Sequence, residues 1–277
     1  TPLHHILLVD LGLPVIATSG NRRDEPICID EREALERLEG LADVFLVHNR
    51  PVVRHVDDSV ARLVDGRPML LRRARGYAPL PVQIPDCGVT FIAMGGHLKN
   101  TAAVQDSGRI FVSQHIGDLE MLQALDAHRK VLADLTAMYG LKPQRVVCDA
   151  HPDYASTALA RATGLPVTSV QHHYAHGLAC LADNTTQPPA LAVSWDGTGY
   201  GDDGTVWGGE FLRIGTQDYA RVAHLRAFRL PGGDVAVREP RRSALGLLWE
   251  VYGEAALGMS DLAPVQAFSG PELRTLG

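Results

Sequence analysis

The hydrophobic pattern is irregular in the first third of the chain and regular after it. The stretch HHILLVDLGLPVIATSGN predicts two β-like or buried apolar runs, parted by Gly-Leu-Pro and closing on a small polar turn from Thr18 to Asn21. DEREALERLEGLADVFLVHNRPVV predicts a charged amphipathic helix, with Leu35, Leu38 and Leu41 near helical spacing, followed by a strand over DVFLVH. RPMLLRRARGYAPLPVQIPDCG predicts a strand and then an extended proline-rich connector, because proline fixes φ and lacks an N–H. A domain boundary is expected within residues 82–88.

Beyond that boundary the rhythm sharpens. VTFIAMGG, TAAVQDSG and RIFVSQH predict a meander of three short strands with glycine and asparagine turns. A long helix up to Gly140 follows, then the buried strand RVVCDAH, a helix up to Gly164, the strand PVTSVQH and a further helix. The order βββαβαβα is that of a ribonuclease-H-like half, and two such halves make an actin-like α/β fold with its ligand between them. PALAVSWDGTGYG, TVWGGEFLRIG and ARVAHLRAFRL begin a second half.

Composition narrows the function classes. With 277 residues, 45% hydrophobic and 21% charged, the chain is globular and long enough for about two domains. No apolar run approaches the roughly 18 residues of a membrane span and no signal peptide opens the chain, so a cytoplasmic protein with no membrane partner is expected. Cys28, Cys87, Cys148 and Cys180 are scattered without a Cys-x-x-Cys pair, which argues against a zinc ribbon or a disulfide framework. A metal would have to be held by histidine and aspartate. The net charge of -6 gives no broad footprint for nucleic acid, the cluster RRARGY being a local exception. Lacking an initiator methionine, the chain is expected to be a fragment.

Candidate chemistry concentrates in VTSVQHHYAHGLACLADN. His172 and His176 stand at i and i+4, which puts both imidazoles on one helix face if the helix starts there, as two ligands of one metal require. Capping or solvated histidines are the competing reading. Asp196 ends the apolar strand ALAVSW and enters a glycine-rich turn, Gly197, Thr198 and Gly199, whose N–H groups can approach phosphate oxygens. An aspartate there suits a divalent cation; an Asp-Gly hairpin is the alternative, and it is the preferred reading of Asp202 to Thr205. Together His172, His176 and Asp196 make a mixed nitrogen and oxygen site open to zinc or iron. AMGGHLKNT forms a second Gly-Gly turn, with Lys99 placed to offer an ammonium to a phosphate.

The first part collects Ser19, Asn21, Arg50, Arg54, Ser59, Arg72, Arg73 and Arg75 around short strands. Guanidiniums among hydroxyl and amide groups suit a triphosphate or a planar carboxylate; a solvated basic face or an RNA-backbone patch compete equally. No Walker A, G-x-G-x-x-G, G-x-S-x-G or His-Glu-x-x-His pattern occurs.

Taken in order, PLHHILL, ATSGN, VFLVHNRPVVRHVDDSV, RRARGYAP, GGHLKNT, SQHIGDLE, CDAHPDYAST, VQHHYAHGLACLADN and DGTGYGDDGTVWGGEF closely resemble the HypF carbamoyltransferase family. The resemblance implies a partial YrdC-like domain over residues 1–85 and a partial TsaD-like domain over 86–277, with its first half at 88–188 and the start of its second half at 189–277. It implies ATP and carbamoyl phosphate as substrates, carbamoyl adenylate as intermediate, and the C-terminal cysteine of the partner HypE as acceptor, supplying the cyanide ligand of NiFe hydrogenase. The family's metal ligands fall on His172, His176 and Asp196, while Ser19 and Asn21 match its YrdC-like nucleotide site and the arginine-rich strands look like its walls. The resemblance further implies an acylphosphatase domain and zinc fingers before Thr1, and a fourth metal ligand and a nucleotide loop after Gly277. Two alternatives stand beside it. One is O-carbamoylation of a small-molecule hydroxyl, disfavoured because related antibiotic carbamoyltransferases place the TsaD-like domain first; the other is an RNA-binding YrdC-like module.

Overall fold

The computed structural model describes residues 2–22 and 25–276. The chain divides after Gln187 into two compact units, Thr1–Gln187 and Pro188–Gly277.

The first unit opens on a helix, α1 (Pro2–Leu11), where two β-like runs were expected. A short, mostly apolar run carries no clear period that separates helix from strand; here Pro2 starts the helix and Gly12, at φ +64°, ends it. The second run, from Val15, forms no regular element. The charged helix is present as α2 (Glu31–Arg37), capped by Asp30, whose carboxylate accepts the N–H groups of Arg32 and Glu33. The strand expected over DVFLVH is absent, because its residues join no ladder. A hairpin follows, β1 (Val60–Val64) and β2 (Arg67–Arg72), turned by Asp65 and Gly66 at φ +50° and +73°.

From Pro81 the chain enters a sheet that carries the rest of the unit. Its strands are β3 (Pro81–Gln83), β4 (Phe91–Ala93), β5 (Ala103–Asp106), β6 (Arg109–Val112), β7 (Arg145–Asp149) and β8 (Val167–Val170). Their spatial order is β3-β6-β5-β4-β7-β8. The meander β4 to β6 is antiparallel, whereas β4, β7 and β8 are parallel. Crossover helices supply the parallel connections: α3 (Leu122–Met138) precedes β7, α4 (Ala155–Ala162) follows it, and α5 (His172–Asp183) follows β8. The expected order βββαβαβα is therefore present.

Helix α3 buries Ala124, His128, Val131 and Leu135, a stripe with steps of four, three and four residues. These meet Ile92, Met94, Val104, Phe111 and Val146 of the sheet in one core, joined by Ala160 of α4. Each fully buried leucine, isoleucine or valine contributes roughly 1.5–3 kcal/mol, so this cluster dominates the stability of the unit. The first part of the unit is bound to the sheet by polar contacts. The His115 N–H donates to the carbonyl of Arg73, the Gln114 amide to that of His55, and His115 Nδ1 lies 2.9 Å from an Asp57 carboxylate oxygen.

The second unit has a three-stranded antiparallel sheet, β9 (Ala190–Tyr200), β10 (Val206–Ile214) and β11 (Tyr219–His224). Buried Glu210 receives two hydrogen bonds from the Arg221 guanidinium, which also lies over the Trp207 ring. Helices α6 (Asp234–Arg238), α7 (Pro240–Tyr252), α8 (Ala263–Gln266) and α9 (Gly270–Leu276) follow, with Leu245, Val265 and Phe268 as their small core. Among the described residues no helix is long and apolar enough to cross a membrane.

The buried His128 makes the first unit acid-sensitive. Loss of hydration pushes its imidazole below the ordinary 6.5, outweighing the bond from Nε2 to the Met94 carbonyl, which acts the other way. Folded His128 therefore stays neutral at pH values where the unfolded chain already takes up a proton, so its contribution is complete above about pH 6.5 and is lost as pH falls through that value. Thermal unfolding followed from about pH 7.5 down to 5.5 is expected to show Tm declining, less steeply in His128→Gln, whose amide reaches the same carbonyl. Separately, Leu135→Ala is expected to cost about 2–5 kcal/mol in denaturant unfolding.

Candidate functional site

The carboxyl ends of the parallel strands β4, β7 and β8 lie along one edge of the sheet, the edge at which open α/β sheets bind ligands. β4 leads into Gly95 and Gly96, β7 ends on Asp149, and β8 runs through Gln171 into α5.

His172 is the first residue of α5, so the helix starts where the paired-ligand reading requires it. Gln171 caps the helix, its side-chain oxygen accepting the Tyr174 N–H at 2.8 Å, and its amide nitrogen lies 3.2 Å from Nδ1 of the fully buried His173. His176 follows one turn after His172, and the Nε2 atoms of the two rings stand 3.2 Å apart. Two imidazole nitrogens bound to one tetrahedral zinc at ~2.05 Å sit about 3.3 Å from each other, so the pair fits a shared cation. On its other side His172 Nδ1 lies 2.6 Å from Oδ2 of Asp149, whose side chain is 7% exposed.

Sequence reasoning missed Asp149, although it ends a strand as Asp196 was expected to and is followed by Ala150, His151 and Pro152. It also missed a ring column: Tyr154 stacks on His151 at 4.0 Å and on His97 at 5.0 Å between centroids, with His97 Nε2 3.8 Å from Glu120. His97 follows the Gly-Gly turn expected at residues 95–96. Gly95 has φ +68°, and a Cβ there would stand 2.2 Å from the Thr101 carbonyl oxygen, so only glycine fits. Asn100 closes the loop by donating to the carbonyls of Met94 and Gly96. Lys99, at φ +48°, donates its backbone N–H to Asp118 and leaves its side chain exposed.

Asp196 belongs to the second unit and is partly buried on β9, its Oδ1 accepting the Gly197 N–H at 2.7 Å. The glycine-rich turn expected at Gly197, Thr198 and Gly199 is instead part of the strand. Antiparallel pairing with β10 continues past Asp196, across a register shift between Trp207 and Gly209, and Gly199 pairs with Trp207. Gly208 permits the close approach, since a Cβ there would lie 3.2 Å from the Asp196 carbonyl oxygen. The chain turns later, where Asp203 Oδ1 accepts from the Thr205 backbone N–H, the Thr205 hydroxyl and the Trp207 indole.

The residues expected to hold nucleotide are dispersed. Asn21 donates to the carbonyls of Arg22 and Glu25 in a loop of its own, beside exposed Ser19. Arg50 and Arg72 are exposed, and Arg54 approaches Asp134 of α3 at 3.9 Å, on a cavity of about 180 Å³ that His55 and Lys130 also line. Ser59 and Arg73 hold backbone: the Ser59 hydroxyl donates to the Arg75 carbonyl and accepts the Ala74 N–H, and Arg73 donates to the Leu80 carbonyl. Nearby, the hydrogen bond with His115 holds the Asp57 carboxyl below its ordinary value, and burial holds His55 below 6.5. Ser59→Ala is therefore expected to lower stability by about 1–2 kcal/mol in denaturant unfolding, since two backbone groups lose their partner, whereas exposed Arg50→Ala leaves it unchanged.

Known proteins share this arrangement along the whole chain. The family model for the HypF Kae1-like domain matches residues 86–183, that for the second subdomain of the carbamoyltransferase Kae1-like domain matches 192–272, and the Sua5/YciO/YrdC model, described as telomere recombination, matches 1–74. The carbamoyltransferase HypF of a Synechocystis species is 50% identical over 92% of this chain and 33% of its own length. The probable carbamoyltransferase HypF of Methanocaldococcus jannaschii is 36% identical over 98% of this chain and 36% of its own. A crystal structure of full-length HypF in its phosphate- and nucleotide-bound form covers 100% of this chain and 36% of that one, with a TM-score of 0.91 and 36% identity. This chain thus spans about a third of the length of the relatives it matches. With a YrdC-like segment followed by both Kae1-like subdomains, at identities of this order to the named relatives, the chain belongs to the HypF family.

Proposed function

We propose that the chain carries part of the machinery for ATP-dependent carbamoyl transfer, from carbamoyl phosphate through carbamoyl adenylate to the C-terminal cysteine of HypE, in the maturation of NiFe hydrogenase. The observation that carries this reading is the convergence of His172 and His176 at the carboxyl edge of β8. The name borne by the relatives, carbamoyltransferase HypF, supplies the reaction class.

In this reading His172 and His176 supply two nitrogen ligands and Asp196 an oxygen ligand to a zinc or iron ion. That donor set is hard enough for phosphate-bridging chemistry and nitrogen-rich enough to retain a transition metal. When bound, such an ion would act as a Lewis acid toward a carbonyl or phosphate oxygen. An acyl adenylate is a mixed anhydride with a good leaving group, so the protein's own task is to hold it in line with the acceptor and to stabilise charge on the carbonyl oxygen. The acceptor thiolate is itself a strong nucleophile, so no side chain of this chain needs to act covalently. Lys99, on the loop closed by Asn100, offers an ammonium toward phosphate from the same edge.

The reading is tested in the whole protein with ATP, carbamoyl phosphate and HypE. Pyrophosphate exchange into ATP that depends on carbamoyl phosphate, with label passing to the HypE C-terminal cysteine, is expected; no exchange sinks the reading. His176→Ala is expected to lose bound metal and to lower transfer by about 10²-fold or more while exchange persists, and unchanged metal content refutes the ligand assignment.

A further inference from the structure

The Asp149 carboxylate has no role in the ligand set just proposed, yet the fold holds it by both oxygens. β7 and β8 are parallel and in register, with Asp149 beside Val170, and His172 lies two residues further on, at the start of α5. This register sets Asp149 beside the end of β8, from which the chain turns through Gln171 into α5, and there the His172 ring meets the carboxylate.

Each carboxylate oxygen has a separate task. Oδ1 accepts the His151 N–H at 2.8 Å, and Oδ2 lies 2.6 Å from His172 Nδ1. The backbone is pinned as well: the Thr157 hydroxyl donates to the Asp149 carbonyl, and the next residue, Ala150, donates its N–H to Val170. The side chain is 7% exposed, so water competes little for either bond.

We infer that Asp149 is a positioning residue, which fixes His172 in the tautomer protonated at Nδ1 and turns its Nε2 lone pair toward His176. A carboxylate only accepts hydrogen bonds, so at 2.6 Å the proton belongs on Nδ1 and Nε2 is left as the coordinating atom. His176 is exposed and stands one turn further along α5, its Nε2 3.2 Å from that of His172. The inference rests on the ligand reading only for its consequence in metal binding, because the tautomer belongs to the protein without metal.

The test uses the full chain and two readouts. Nitrogen-15 NMR of the metal-free imidazoles reports the tautomer, and a Co(II) titration followed by calorimetry and visible absorption reports affinity and ligand set. Wild type is expected to show His172 protonated at Nδ1. Asp149→Ala is expected to show a mixed tautomer and Co(II) affinity lower by about 10–100-fold, whereas Asp149→Asn, which keeps an accepting oxygen and loses the charge, falls between them. A folded Asp149→Ala with wild-type tautomer and affinity overturns the inference and leaves the ligand reading standing. Co(II) affinity unchanged in His172→Ala and His176→Ala overturns the ligand reading, and the tautomer then decides the role of Asp149 alone. Where Asp149→Ala does not fold, Asp149→Asn decides, because a purely structural role would lower its Tm without moving affinity.

Discussion

Parallel pairing of β4, β7 and β8 is the constraint on which the first unit depends. Parallel neighbours cannot be joined by a tight turn, so each needs a crossover, and here α3 and α4 provide the connections into β7 and β8. Every strand of that set then ends on the same edge. The Gly95–Gly96 loop, Asp149 and the start of α5 come from three separate stretches of the chain and become neighbours along one sheet edge because the strand ends are neighbours. The apolar stripe of α3 supplies the energy that holds the arrangement, and the polar edge has the geometry that the core imposes.

The same division of labour explains two of the histidines. His128 faces the core and gives its Nε2 proton to a backbone carbonyl, so burial makes it a neutral structural group that fails in acid. His172 faces the edge and meets a carboxylate, so its second nitrogen is directed outward. A partner that can only accept hydrogen bonds decides each tautomer; what differs is whether that partner is a backbone carbonyl in the core or a carboxylate at the sheet edge.

Much of this was legible beforehand. The strand and helix order from Phe91 to Asp183 follows from period-2 and period-3.6 patterns punctuated by glycine, and Gly140 and Gly164 stand at positive φ where helices were expected to end. Earlier residues were less legible. The run from Pro2 to Leu11 is mostly apolar and shows no clear period that separates helix from strand; the DVFLVH segment has strand composition but no neighbour, and a strand exists only when paired. Ser59 and Arg73 read as ligand-binding types because hydroxyl and guanidinium groups serve phosphates and backbone carbonyls alike.

By itself, then, the sequence determined the α/β alternation, the helix start at Gln171 and His172, and the i, i+4 spacing that puts His176 above His172, since all of these are local and follow from helix and strand periods. Tertiary structure decided that Asp149 meets His172, that His97, Tyr154 and His151 stack, and that Gly197 to Gly199 belong to a strand. Each of those depends on which strands are neighbours and in what register, and register is set by packing across the whole sheet, which no local window of sequence contains.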